Sequence, residues 1–116
     1  MLKFICYPKC TTCQRAKKWL DEKGVEYDLR DIKENKPNVD EIKEWRGVSG
    51  LPLRKFFNTS GLLYKSLQLK DKLPQMSEDE MYELLASDGM LAKRPILVGE
   101  AFVLVGFKEE EWSEKV

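Results

Sequence analysis

The sequence predicts an α/β fold: a β-α-β unit and a β-β-α unit sharing one mixed four-stranded sheet, with a helical insertion between the two halves. Three observations predict it. Short apolar runs stand at residues 2–7, 96–98 and 102–105, with an alternating run at 25–30. Between the first run and the alternating one, Ala16, Trp19 and Leu20 recur at helical spacing. From about residue 38 to 88 the periodic segments are helical, and two of them open with capping sequences.

Taken in order, residues 2–7 read as a buried strand and Pro8-Lys9 as a turn. A helix follows from Thr12 to about Lys23, stopped by Gly24. Residues 25–30 form the second strand, and a strand–helix–strand unit of about 30 residues implies a parallel pair with a right-handed crossover. Asn38 and Glu41 form a capping box for a helix ending near Arg46-Gly47, with Ile42 and Trp45 on its apolar edge. Pro52 suits the first position of a short helix that buries Leu53, Phe56 and Phe57. Residues 58–61 are a turn cluster, and the leucines between 62 and 73 indicate another short helix and a loop. Ser77 and Glu80 cap a helix through Met81, Leu84 and Leu85 to about Ser87. Residues 96–98 and 102–105 pair antiparallel across a turn at Gly99-Glu100, and 109–115 form a last helix around Trp112. Trp19, Trp45, Phe56, Phe57 and Trp112 read as packing residues. The charged stretches around Lys17, Lys18, Glu34, Lys36 and 109–111 read as solvated faces.

Composition narrows the function. A chain of 116 residues, 42% of them hydrophobic, can bury a real core, and one domain spanning 1–116 is expected. Lys+Arg and Asp+Glu number 20 each, which argues against direct nucleic-acid binding by bulk charge. No apolar run approaches the ~20 residues of a membrane span. The start Met1-Leu2-Lys3-Phe4-Ile5-Cys6 is interrupted too soon for a signal peptide. The expectation is a cytoplasmic protein, monomeric and without a membrane partner.

The chemistry centres on Cys10-Thr11-Thr12-Cys13 at the strand-to-helix junction. Free backbone N–H groups and the positive end of a helix favour a thiolate at Cys10, with Cys13 one turn on. Lys9 and Arg15 add positive charge, and Thr11 or Thr12 is expected to cap the helix. A thiolate with a second thiol in reach suffices for thiol–disulfide exchange. Structural zinc needs about four Cys or His ligands. With three cysteines and no histidine, no metal site is expected. Cys6 is expected to be an apolar core residue whose sulfur does not meet the other two.

Without its middle, the chain is the thioredoxin-like core, residues 1–31 and about 90–116, and the middle is an insertion over one end of the sheet. The whole resembles the glutaredoxin-type arsenate reductase (ArsC) family, which includes the Spx-like transcription regulators. The likeness rests on Tyr7-Pro8-Lys9-Cys10-Thr11-Thr12-Cys13, on the insertion, and on Arg94-Pro95-Ile96 ahead of the third strand. It implies that Pro95 is a cis-proline facing Cys10 and shaping a substrate groove, and that Arg94 stabilises a thiolate or anionic substrate. Of the three arginines that hold the oxyanion in arsenate reductases, only Arg94 is present. Near the other two positions, Thr59 or Ser60 and Phe107, stand Arg54, Lys55 and Lys108.

The leading expectation is a thiol–disulfide oxidoreductase, with Cys10 as nucleophile, Cys13 as resolving thiol and Arg94 as electrostatic stabiliser. Lys9, Thr11, Thr12, Arg15 and Pro95 are its expected substrate contacts. Its substrate is a protein or small-molecule disulfide. No cofactor is tightly bound; a thiol reductant (glutathione with glutaredoxin, or thioredoxin) supplies electrons. The alternatives implied by the resemblance are an arsenate reductase acting through Cys10 and Arg94, and a redox-sensing regulator that binds the RNA polymerase α subunit.

Overall fold

A computed structural model of the chain describes residues 2–116. Four strands, β1 (Leu2–Cys6), β2 (Tyr27–Asp31), β3 (Ile96–Val98) and β4 (Val103–Val105), form one sheet in the order β2-β1-β3-β4. β1 and β2 are parallel, Phe4 opposite Leu29; β1–β3 and β3–β4 are antiparallel. This is the mixed sheet the sequence predicts.

The helix α1 (Thr11–Glu22) makes the crossover from β1 to β2, and Gly24 takes a left-handed φ of 68° beyond its end. The capping boxes of α2 (Val39–Ser49) and α5 (Glu78–Ser87) are both formed: Asn38 accepts from the Glu41 N–H, and Ser77 from that of Glu80. Between them lie a 3₁₀ turn (Leu53–Phe56), α3 (Leu62–Ser66), α4 (Leu69–Lys72) and a second 3₁₀ turn (Leu73–Gln75). A third 3₁₀ turn (Gly89–Leu91) leads to β3, and α6 (Glu109–Lys115) closes the chain. No helix among the described residues is long and apolar enough to cross a membrane.

Strand alternation divides the core. Phe4, Cys6, Leu97 and Leu104 face α1 and α6, packing with Cys13, Ala16, Leu20 and Trp112. Ile5, Ile96 and Val103 point the other way, into Ile42, Trp45, Phe56, Phe57, Met81 and Leu85. The insertion packs beneath Ile5, Ile96 and Val103, while Lys3 and Asp28, on the same face, stay exposed.

Two details differ from expectation. Helix α2 runs past Gly47 and ends at Gly50, whose φ of 72° supplies the left-handed cap. Pro52 precedes the 3₁₀ turn rather than beginning it. The insertion is fastened to the sheet by an isolated antiparallel bridge between Phe57 and Ala92. Lys93 N–H donates to the Phe56 carbonyl at 2.7 Å and Asn58 N–H to that of Leu91 at 2.7 Å.

Candidate functional site

The end of β1 and the start of α1 meet at a tight turn. Cys10 N–H donates to the Tyr7 carbonyl at 2.9 Å, and the Gln14 side chain reaches back to the Pro8 carbonyl at 3.0 Å. Cys10 is the N-cap of α1, with extended backbone, and no side chain caps the helix. The expected threonine cap is absent because Thr11 and Thr12 already lie inside the first turn, where their hydroxyls cannot reach the exposed N–H groups ahead of them. Those N–H groups are left to face the Cys10 side chain's end of the helix.

Cys10, Cys13 and Cys6 are all free thiols. Cys10 is half-buried, whereas Cys13 is 1% and Cys6 4% exposed. The Cys13 sulfur accepts the Tyr7 N–H at 3.4 Å, and it is buried in one cluster with Cys6, against which Cys10 packs. Bonding to Cys6 and burial hold the Cys13 thiol well above the ordinary thiol range. Cys6, accepting that proton, is lowered. The expectation that the Cys6 sulfur stays clear of the pair is thus corrected. Phe4 and Cys6 share the face that α1 covers, so strand alternation delivers the Cys6 side chain beneath the first helical turn.

Cys10 opens onto a cavity of about 610 Å³, whose wall includes Thr12, Lys55, Ser60, Lys93, Arg94 and Lys108. Four cations and one carboxylate, Glu111, therefore surround the mouth. Arg94 is joined to Pro95 by a cis peptide bond, and Pro95 is buried behind the wall. The Arg94 guanidinium lies 5.4 Å over the Tyr7 ring and turns Nη1 to the Met90 and Ala92 carbonyls, at 3.3 and 3.5 Å. It thus lines the cavity without a hydrogen bond to Cys10, and its Nε is buried with no partner among the described residues. Lys9, Thr11 and Arg15 are exposed and lie outside the cavity. Thr11 and Arg15, four residues apart, share the solvent side of α1, opposite Cys13, Ala16 and Leu20.

Lys93 was not singled out from sequence, although it adjoins Arg94. Its side chain is seated by a glycine: a Cβ on Gly106 would lie 3.0 Å from Lys93 Cε. Lys55, Ser60 and Asn58 reach the cavity through the Phe57–Ala92 bridge. The three positions to which the resemblance points, Ser60, Arg94 and Phe107, thus line one cavity with Cys10, together with Lys55, Lys93 and Lys108. Among the described residues, no group of three or more His, Cys, Asp or Glu is arranged to hold a metal ion.

Comparison with known proteins bears on this geometry. The ArsC family model matches residues 6–115. Uncharacterized protein YusI of Bacillus subtilis is 55% identical over 113 residues, 97% of this chain and 96% of that protein. The global transcriptional regulator Spx of Listeria monocytogenes is 30% identical over 105 residues, 90% of this chain and 78% of the regulator. Among solved structures, an ArsC-family-related protein from Bacteroides fragilis superposes with a TM-score of 0.95 at 56% identity, covering 97% of this chain and 95% of that one. An arsenate reductase from Vibrio cholerae gives 0.87 at 27% identity, covering 99% and 97%. The fold is thioredoxin-like, with the insertion these relatives share.

Proposed function

The chain belongs to the ArsC family, and we propose that within it the protein is a dithiol thiol–disulfide oxidoreductase. Cys10 is the nucleophile and Cys13 the resolving thiol. The observation that carries this reading is the placement of the two sulfurs. One is half-buried at the helix N-cap and open to a cationic cavity; the other is buried one helical turn on, in the cluster against which the first packs. Cys10 attacks a substrate disulfide, forming a mixed disulfide and releasing one thiol. Cys13 then attacks Cys10, forming the Cys10–Cys13 bond and releasing the second thiol. A cytoplasmic thiol reductant, glutathione with glutaredoxin or thioredoxin, returns the pair to its reduced state.

The cavity favours an anionic substrate. Arg94 keeps part of its guanidinium occupied with carbonyls, and the remaining cations are lysines, which do not grip a tetrahedral oxyanion in bidentate fashion. This weighs for a disulfide carrying carboxylates over arsenate. Cys13→Ser is expected to accumulate mixed disulfides at Cys10, and Cys10→Ser to accumulate none. Absence of trapped species in Cys13→Ser overturns the assignment.

The relatives named as Spx regulators favour a second reading, in which the same dithiol is a sensor and the partner is the RNA polymerase α subunit. Chemical-shift titration with the α C-terminal domain, in reduced and oxidised forms, tests it. No shift in either form removes it.

A further inference from the structure

We propose that Cys6 is a third redox thiol of this site, to which the Cys10–Cys13 disulfide is passed so that Cys10 is freed for a second reaction. The inference rests on the dithiol reading and extends it.

Three observations carry it. Cys6 and Cys13 are buried in one cluster with Cys10 packed against it, and of the three only Cys10 lines the cavity. Cys6 ends β1, and the next residue, Tyr7, donates its N–H to Cys13 at 3.4 Å. The peptide that carries Cys6 is thus tied to the sulfur it must reach. Finally, Cys6 is 4% exposed and lies among Phe4, Ala16 and Leu20. Little of it meets solvent, and the reactive group buried beside it is Cys13.

The exchange balances without an added oxidant. The substrate disulfide has already withdrawn two electrons in forming the Cys10–Cys13 bond. Cys6 gives up its proton, and its sulfur attacks Cys13 Sγ. The Cys6–Cys13 bond forms, the Cys10–Cys13 bond breaks, and the electron pair leaves on Cys10. Cys10 departs as a thiolate at a helix N-terminus, or takes up the proton Cys6 released. One disulfide is exchanged for another, and the oxidised protein again presents a free nucleophile to the cavity.

The sequence makes the products separable. Trypsin cuts after Lys3, Lys9 and Arg15, leaving Cys6 on peptide 4–9 and both other cysteines on 10–15. The wild-type protein is oxidised with one equivalent of diamide, quenched in acid at intervals, unfolded in urea and alkylated with N-ethylmaleimide at mildly acidic pH, then digested and sequenced by mass spectrometry. The expected result is early looped 10–15, giving way to peptide 4–9 cross-linked through Cys13 with Cys10 alkylated. Cys6→Val is expected to remain looped and to lose Cys10 labelling after oxidation. Looped 10–15 at all times, with Cys6 always alkylated, overturns the inference and leaves the dithiol reading standing. Formation of neither disulfide overturns the dithiol reading itself. The wild-type mapping decides the matter even if Cys6→Val does not fold.

Discussion

The backbone N–H of Tyr7 donates to the sulfur of Cys13 at 3.4 Å, so the end of β1 and the first turn of α1 are joined through that thiol. The sulfur to which the proposed function gives the resolving role is thus also a structural acceptor, and its surroundings raise its pKa.

The first prediction concerns that protonation. Bonding to Cys6 and burial both raise the Cys13 thiol. In a Cys10→Ser background, Cys13 is therefore expected to alkylate only at pH well above the ~8.5 of a free cysteine. Adding Cys6→Ala removes the larger raising cause, so the profile moves toward lower pH. The rate of iodoacetamide capture against pH, read by mass, checks both. A Cys13 profile that coincides with free cysteine contradicts the arrangement.

The second concerns the cavity. Lys93 and Lys108 lie beside Cys10 and are exposed, so their contribution is long-range attraction of anions. Lys93→Met with Lys108→Met is expected to slow reduction of the dianionic 5,5′-dithiobis(2-nitrobenzoate) by roughly 3- to 10-fold at low salt. A neutral disulfide is hardly affected, and the difference shrinks above ~0.5 M salt. Equal slowing of both substrates would point to lost structure instead.

Acid stability follows from a half-buried ion pair. Arg30 Nη1 and Nη2 reach Glu41 at 2.6 and 2.9 Å, and Glu41 Oε1 also accepts the Asn38 N–H. The arginine, then the Asn38 N–H, hold the Glu41 carboxyl below its ordinary 4.5. A lowered carboxyl contributes stability above its unfolded value and loses it as pH falls through the folded one. Glu41→Gln is expected to cost about 1–2 kcal/mol at neutral pH. Urea midpoints of the two proteins should converge as pH drops from 5 toward 3 (approximate bounds of this window). A gap that persists in acid would locate the cost elsewhere.

A fourth prediction tests how the insertion returns to the sheet. Gly89 is buried, and a Cβ there would stand 1.9 Å from the Ile32 carbonyl oxygen. The obstacle is backbone, which cannot swing aside. Gly89→Ala is expected to destabilise by about 2 kcal/mol or more, read from denaturant unfolding. Gly47→Ala, with nothing within 4 Å of the new methyl, is the control and should be neutral or slightly stabilising. Similar losses in both would sink the packing argument.

Much of the fold was legible because the signals are local. Asn38 with Glu41, and Ser77 with Glu80, state where helices begin through contacts three residues apart. The end of α2 was misjudged because Gly47 and Gly50 look alike in sequence, and only the second takes the left-handed conformation. The cysteine pair was equally plain, being one helical turn apart. The rest of the site was not. Cys6 joins it only once the face covered by α1 is known, and Lys55 only because Phe57 pairs with Ala92, thirty-five positions away by their numbering. Arg94 was placed by the resemblance, but its seat over the Tyr7 ring, far away in the sequence, is a matter of three-dimensional neighbours.

The cavity wall has a further consequence. The sulfurs ride on the β1–α1 junction, whereas the residues that greet an incoming molecule hang from the insertion, the approach to β3 and the loop after β4. On the proposed function, Thr12 apart, electron handling and molecular recognition are carried by separate stretches of polypeptide. A lineage can recut the docking rim, for a small oxidant in one descendant and a large protein surface in another, while the sulfur relay keeps its register.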